Sequence, residues 1–142
     1  MTARKHPIIL VIDDHPIMHR VLEKRLKSQG YEYRGAQDAF TGLRMVKEEH
    51  PDLILMDILL PEINGRELTK RLKADPQTKD IPVVFISVTL SKKNDKEEKE
   101  IVIDGVTYPA FAKPLYTPKL QSVIRKILKQ KFQDLPDDPK NP

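Results

Sequence analysis

The sequence predicts an α/β fold in which a doubly wound, five-stranded parallel sheet carries helices on both faces. Short apolar runs rich in β-branched residues alternate along the chain with segments whose apolar residues recur at helical spacing. Each run is short and apolar throughout, which is typical of a strand buried on both faces rather than of a helix. Right-handed crossovers between parallel strands then place helices on both sides of the sheet.

Five strands are expected from the apolar runs. They cover residues 7–12, 31–34, 53–57 and 82–87, and a fifth strand ends at Lys113. The third run ends on a carboxylate, Asp57, and a turn rich in Pro, Asn and Gly follows at once. Asp57 therefore lies at the carboxyl end of a strand, where open α/β sheets bind their ligands.

The helix boundaries are marked by capping residues, by prolines in first turns, and by glycine or proline at the ends. The expected starts are Pro16, Asp38, Asn64 and Thr117, and the expected stops are Gly30, Pro51 and Asp75. The last helix has the clearest apolar face, formed by Leu120, Val123, Ile124, Ile127 and Leu128.

The composition indicates one soluble domain followed by a tail. We expect a domain over residues 1–131 and a disordered tail or linker over residues 132–142, where prolines and polar residues dominate. No apolar run is long enough to span a membrane, no signal peptide is visible, and the absence of Cys excludes disulfides and thiolate metal sites. The 25 Lys and Arg exceed the 21 Asp and Glu only slightly and are spread out, so no nucleic-acid surface is indicated. We expect a cytoplasmic protein.

Polar residues follow the ends of successive strands, namely Asp13 with Asp14, Asp57, Ser87 and Lys113. Because the carboxyl ends of parallel strands meet at one edge of a sheet, these side chains should converge. Three carboxylates repel one another unless a cation neutralises them, and oxygen ligands without His or Cys suit Mg²⁺. An Asp beside Mg²⁺ can attack phosphorus and form an aspartyl phosphate, while an ammonium and a hydroxyl group stabilise the transferring group.

The order and spacing of these residues resemble the receiver domain of two-component response regulators over roughly residues 7 to 131. The motifs that carry the resemblance are Ile12-Asp13-Asp14, Met56-Asp57-Ile58-Leu59-Leu60-Pro61 with Gly65, Pro82-Val83-Val84-Phe85-Ile86-Ser87, and Lys113-Pro114. The resemblance implies a flavodoxin-like fold of the receiver type. It also implies that Asp57 accepts a phosphoryl group from a histidine kinase or phosphotransfer protein, and that the domain then switches conformation to control a downstream protein.

The resemblance further implies a Mg²⁺ site. Asp14 would bind the ion directly, and Asp13 would help to hold it, often through water. Asp57 and the backbone carbonyl of Leu59 would complete the protein ligands.

The resemblance implies three further roles at the ends of the last two strands. Ser87 matches the hydroxyl residue that follows the phosphoryl group on activation, and Phe111 matches the aromatic switch position. Lys113 matches a Lys-Pro pair, usually cis, that aims the ammonium inward. Beyond its own phosphorylation and slow dephosphorylation, no enzymatic activity is implied.

Two departures from the family pattern lie after the fourth strand. Val88 is bulkier than the small residue usual at that position, which narrows access to the phosphoryl group. The segment up to Lys113 is longer than usual: it is highly charged over residues 91–100, and two β-branched runs then flank Asp104-Gly105, a strong hairpin signal. We predict a short helix or loop over residues 92–100 followed by a two-stranded ribbon, so that the family's fourth helix is shortened or replaced. The alternative is an ordinary fourth helix that runs through Ile103 and stops at Gly105.

Two other functions compete with the phosphorylated switch, and one other metal site is suggested by the sequence. A receiver-like binding module that works without phosphorylation would not need the acidic pair, the acceptor and the Lys. An aspartyl-nucleophile phosphatase of the haloacid-dehalogenase type needs an acidic residue two positions after the nucleophile, where Leu59 stands. His15 and His19 lie four residues apart on a helix and could suggest a zinc site, but a tight site needs further convergent ligands.

Overall fold

A computed structural model describes residues 6–87, 98–112 and 118–132 of the 142-residue chain. The strands are β1 (Ile8–Ile12), β2 (Glu32–Ala36), β3 (Leu53–Asp57), β4 (Val83–Ser87), β5 (Glu98–Ile103) and β6 (Val106–Ala112). The helices of the described ranges are α1 (Pro16–Ser28), α2 (Ala39–Glu49), α3 (Gly65–Ala74) and α4 (Pro118–Lys129). Strands and helices alternate through the first two thirds of the chain, as the sequence predicts.

The strands form one six-stranded sheet in the order β2-β1-β3-β4-β6-β5. The first five strands in that order pair in parallel, whereas β5 pairs antiparallel with β6 at the edge. The doubly wound parallel sheet is therefore confirmed, and the expected count of five strands is wrong by one edge strand. The predicted fifth strand is β6, and β5 precedes it in the chain.

The core consists of two layers, one on each face of the sheet. Residues alternate between them along each strand: Leu10 and Ile12 of β1 face one layer, and Ile9 and Val11 face the other. Helices α2 and α3 cover the first layer, while α1 and α4 cover the second. In α4 the buried residues are Leu120, Ile124 and Leu128, flanked by the partly buried Val123 and Ile127. Helices on both faces and the apolar face of the last helix are thus confirmed.

Capping residues set the helix starts as expected. Pro16 occupies the first turn of α1. The Asp38 carboxylate accepts the Thr41 backbone N–H at 2.8 Å and caps α2. The Asn64 side chain accepts the Glu67 N–H at 2.9 Å and caps α3. Each cap satisfies an N–H group that has no partner within its helix.

The predicted hairpin is present. Asp104 and Gly105 have φ angles of 50° and 80° and join β5 to β6, so that Ile103 pairs with Val106. Positive φ at both central residues is what a type I′ hairpin turn requires. Ile101 and Ile103 alternate with outward residues and bury their side chains beside α3. The alternative helix through Ile103 is therefore wrong.

The predicted short helix or loop over residues 92–100 is wrong at its end, because residues 98–100 already belong to β5. Residues 92–97 lie outside the described ranges. Residues 98–100 have no apolar pattern that would predict a strand. They are extended because they pair with residues 109–111 of β6.

An ion pair joins the residues that follow α4 to the residue that precedes β3. The Lys131 ammonium lies 2.6 Å from one oxygen of Asp52, whose other oxygen accepts the Ile8 N–H at 2.8 Å. Asp52 is buried, and its two oxygens are satisfied by Lys131 and by the backbone of β1. The predicted tail beyond Phe132 lies outside the described residues. Across the described ranges, none of the helices is both long and apolar enough to cross a bilayer.

Candidate functional site

The ends of β1, β3 and β4 bring the predicted polar residues to one edge of the sheet. Ile12 pairs with Met56, so Asp13 and Asp57 follow in neighbouring strands. Asp57 in turn pairs with Ile86, which puts Ser87 one residue further along β4. The edge therefore gathers Asp13, Asp14, Asp57 and Ser87, as the parallel topology predicts.

Three carboxylates and one imidazole form a compact cluster. Asp13, Asp14, Asp57 and His15 each offer one ligand atom, and these four atoms lie within 4.8 Å of one another. Asp13 and Asp57 are buried and Asp14 is exposed, so the cluster opens to solvent on one side. The three carboxylate oxygens are hard donors of the kind that Mg²⁺ takes in small number. The donor set therefore fits the Mg²⁺ ion expected from the sequence.

His15 joins the cluster, although the sequence suggested it only as half of a zinc pair with His19 and not as a partner of the three carboxylates. Its Nδ1 atom lies 3.0 Å from Asp13 Oδ1, 3.1 Å from Asp14 Oδ1 and 3.9 Å from Asp57 Oδ2. Its backbone N–H also donates to Asp13 Oδ1 at 2.8 Å. The signal was its place directly between an acidic pair and Pro16, which fixes it as the N-cap of α1.

His19 has a structural role one turn further along α1. Its ring is buried: Nε2 lies 2.7 Å from the Asp13 carbonyl oxygen, and Nδ1 contacts the Tyr33 hydroxyl. Burial, with Glu23 and Asp13 as nearby negative charges, raises the pKa of Tyr33 to about 12. The hydroxyl therefore keeps its proton. His19 is not part of the cluster, so the zinc pair of His15 and His19 is not formed.

The turn after β3 holds the end of that strand against α3. The Leu59 backbone N–H donates to Asp57 Oδ1 at 3.2 Å, and the Gly65 N–H donates to the Ile58 carbonyl at 2.8 Å. Any side chain at position 65 would collide with the Asp57 carbonyl oxygen, so the close approach requires glycine here. The Leu59 side chain remains 50% exposed beside the site.

The sequence pattern of the response regulator receiver domain matches residues 9–125. The polar-differentiation response regulator DivK of Brucella ovis is 31% identical over 120 residues, which cover 84% of this chain and 94% of DivK. A Chloroflexus aurantiacus J-10-fl structure, solved as that of a candidate response regulator, has a TM-score of 0.72 at 28% identity and covers 87% of this chain and 98% of its own. The N-terminal domain of a response regulator receiver protein from Methanoculleus marisnigri JR1 has a TM-score of 0.63 at 29% identity, with 86% and 96% covered.

The chain belongs to the response regulator receiver family. The flavodoxin-like receiver fold expected from the sequence is thereby confirmed. The acidic cluster of this receiver domain lies at the ends of β1 and β3, where the resemblance implied it.

The remaining predicted residues of the receiver site lie on β4 and β6. Ser87 is buried at the end of β4 and pairs with Ala112. Phe111 is buried opposite Ile86, in the layer beneath α1 and α4. Lys113, together with Pro114 and Val88, lies outside the described residues, so its role stays a prediction.

After β4 the chain departs from the family pattern implied by the resemblance, through the hairpin that the sequence predicts. Within the described residues this stretch contributes the edge strand β5, not a helix, and it packs through Ile101, Ile103 and Tyr108. Tyr108 meets Phe85 edge to face, with ring centroids 5.8 Å apart. The hairpin therefore extends the sheet beyond β4, and its inward side chains join the core layer beneath α2 and α3.

Proposed function

We propose that this receiver domain is a phosphorylation-controlled switch in a two-component phosphorelay, and that Asp57 accepts the phosphoryl group from a histidine kinase or phosphotransfer protein. One observation carries the proposal: a carboxylate only 1% exposed ends a central strand within reach of two further carboxylates. A cluster of like charges with two buried members stabilises no fold by itself, so it indicates a site built for a cation.

Asp57 is arranged to act as the nucleophile. Its Oδ1 atom accepts the Leu59 N–H, which holds the carboxylate plane, and Oδ2 is the oxygen near the cluster. In the transfer, an Asp57 oxygen forms a bond to phosphorus while the bond from phosphorus to the donor's nitrogen or oxygen breaks. Asp13, Asp14, Asp57 and the Leu59 carbonyl would hold Mg²⁺, which when bound neutralises charge on the phosphoryl oxygens.

Ser87 and Lys113 would bind the phosphoryl oxygens from the side of β4 and β6. Ser87 is buried at the strand end, so a hydroxyl that turned towards an aspartyl phosphate would rearrange the packed edge of the sheet. Phe111 lies on the adjacent strand β6 and is buried. A movement of its ring on phosphorylation would therefore shift the residues packed around it. The partner controlled in this way would be a protein, met in the cytoplasm.

We propose no turnover of external substrates beyond the domain's own phosphorylation and slow dephosphorylation. The Leu59 side chain, two residues after Asp57, is apolar and half exposed, and it cannot protonate a leaving group. An aspartyl-nucleophile phosphatase would need an acid there. The remaining alternative is a binding module that works without phosphorylation.

Incubation with acetyl phosphate and Mg²⁺, followed by intact-mass measurement, tests the proposal. The wild-type protein should gain one acid-labile phosphoryl group, and Asp57→Asn should gain none. Asp38→Asn is the matched control, because Asp38 is a half-buried helix cap outside the acidic cluster, and it should be labelled like the wild type. Equal labelling of Asp57→Asn and wild type would remove Asp57 as the acceptor, and no labelling of the wild type would favour the binding module.

A further inference from the structure

The imidazole of His15 adds a nitrogen donor to a site whose other donors are oxygens. We propose that His15 is a metal ligand and that it biases this site towards Mn²⁺ and the later first-row divalent ions relative to Mg²⁺. The inference rests on the proposed function only in taking the acidic cluster as the metal site. It assigns His15 a role in selecting the ion, separate from the acceptor role of Asp57.

The distances around His15 Nδ1 suit a shared octahedral ion. With metal–ligand bonds of about 2.1 Å, neighbouring donors lie about 3.0 Å apart and opposite donors about 4.2 Å apart. Nδ1 lies 3.0 Å and 3.1 Å from Asp13 Oδ1 and Asp14 Oδ1, as neighbouring donors do. It lies 3.9 Å from Asp57 Oδ2, closer to the spacing of opposite donors. Small side-chain adjustments would bring these atoms around one ion.

The backbone holds His15 at the mouth of the cluster. Its N–H donates to Asp13 Oδ1 at 2.8 Å, and Pro16 follows in the first helical turn. A residue that precedes a proline is restricted to extended backbone angles, and His15 has φ −98° and ψ 111°. The side chain is still 57% exposed, so it can turn towards an ion without disturbing the core.

The chemistry of imidazole gives the direction of the effect. Carboxylate, carbonyl and water oxygens suit Mg²⁺, whereas imidazole suits ions further along the series, whose affinity for such sites rises from Mn²⁺ to Ni²⁺. Loss of the imidazole should therefore weaken Mn²⁺ and Ni²⁺ binding and leave Mg²⁺ binding almost unchanged. Since even residues that only support metal ligands contribute about 10–100-fold to affinity, the loss for Ni²⁺ should be at least about tenfold.

Calorimetric titration of the full chain with Mg²⁺, Mn²⁺ and Ni²⁺ at one fixed pH tests the proposal. His15→Ala and His15→Gln should both bind Ni²⁺ at least about tenfold more weakly than the wild type, with Mn²⁺ affected less and Mg²⁺ least. The Gln variant keeps a polar side chain of similar size, so it separates loss of the imidazole nitrogen from loss of side-chain bulk. His6→Ala, which removes an exposed histidine outside the cluster, should leave all three affinities unchanged.

Pulsed electron paramagnetic resonance of the Mn²⁺-loaded protein gives a second, direct readout. Coupling of the ion to a ¹⁴N nucleus should be present in the wild type and in His6→Ala, and absent in His15→Ala. Equal losses for all three ions, no loss, or a spectrum without nitrogen coupling would each overturn the proposal and leave His15 as a hydrogen-bond partner of Asp13. Neither readout involves phosphoryl transfer, so its outcome is independent of the acceptor role of Asp57.

Discussion

The Nε2 atom of His19 lies 2.7 Å from the backbone carbonyl oxygen of Asp13. A carbonyl oxygen can only accept, so in the neutral imidazole Nε2 carries the proton and Nδ1 accepts from the Tyr33 hydroxyl. These two hydrogen bonds link Tyr33 of β2 and His19 of α1 to Asp13, the first residue of the acidic cluster. The position of Asp13 thus depends on His19 and Tyr33, which are not members of the acidic cluster.

Removal of the Tyr33 hydroxyl should destabilise the domain. Tyr33→Phe leaves the buried Nδ1 of His19 without its donor, which costs about 1 kcal/mol of unfolding free energy. Because the raised pKa of Tyr33 favours the neutral hydroxyl in the folded state, this contribution is present below pH 10 and lost as the pH rises towards about 12. Urea unfolding at neutral pH and above pH 10 measures both effects. Equal stability of variant and wild type at neutral pH would contradict the assigned bond.

The Asp38 cap should give α2 a pH-dependent stability. Hydrogen bonds from the Thr41 backbone N–H and hydroxyl lower the pKa of Asp38 below its ordinary value of 3.8. The contribution is therefore present above that value and lost as the pH falls through the lower, folded-state value. Asp38→Ala should lose about 1 kcal/mol at neutral pH, and the loss should shrink in acid. Asp38→Asn, which still caps, should match the wild type at neutral pH. Thermal unfolding across the acid range checks this, and a loss that does not change with pH would refute it.

The hairpin turn should depend on the backbone freedom of Gly105. An added Cβ would meet no atom within 4 Å, so the effect of Gly105→Ala is one of conformation alone. The φ angle of 80° should cost an L-residue about 1–2 kcal/mol. Asp104→Asn is the control and should be almost neutral, because Asn accepts the left-handed region. Backbone chemical shifts and urea unfolding measure both variants. A neutral Gly105→Ala substitution would argue against this turn in solution.

The Leu59 side chain should slow hydrolysis of the aspartyl phosphate. It stands two residues after the acceptor and offers no hydrogen bond that could orient an attacking water. Leu59→Asn should therefore shorten the lifetime of the phosphorylated protein several-fold, while Leu59→Met, which stays apolar, should leave it close to the wild-type value. The decay of the labelled species after removal of the donor gives the lifetime. An unchanged lifetime in Leu59→Asn would mean that another residue controls access of water.

The sequence was informative where local chemistry alone decides the structure. The capping side chains of Asp38 and Asn64, and the Asp104-Gly105 turn, act within a few residues, so their patterns are legible in the chain. The length of β5 was underestimated because residues 98–100 are all charged. Their extended form depends on pairing with β6, which the local sequence does not encode.

The acidic cluster could also be predicted, since parallel strands must bring their carboxyl ends together. The place of His15 before Pro16 marked it as the N-cap of α1, but its part in the cluster depends on the direction of its side chain. Its spacing from His19 suggested a shared site, whereas the rings have different partners. Side-chain direction at a helix N-cap is set by backbone dihedral angles that the residue pattern does not encode.

Location of the phosphoryl group tests the central claim most directly. The protein is phosphorylated with acetyl phosphate and Mg²⁺, reduced with borohydride, which converts an aspartyl phosphate to homoserine, and digested for peptide mass spectrometry. We expect homoserine at position 57 alone, with Asp13 and Asp14 unchanged. Homoserine at another aspartate, or none in a protein that has demonstrably gained a phosphoryl group, would contradict the assignment of Asp57 as the acceptor.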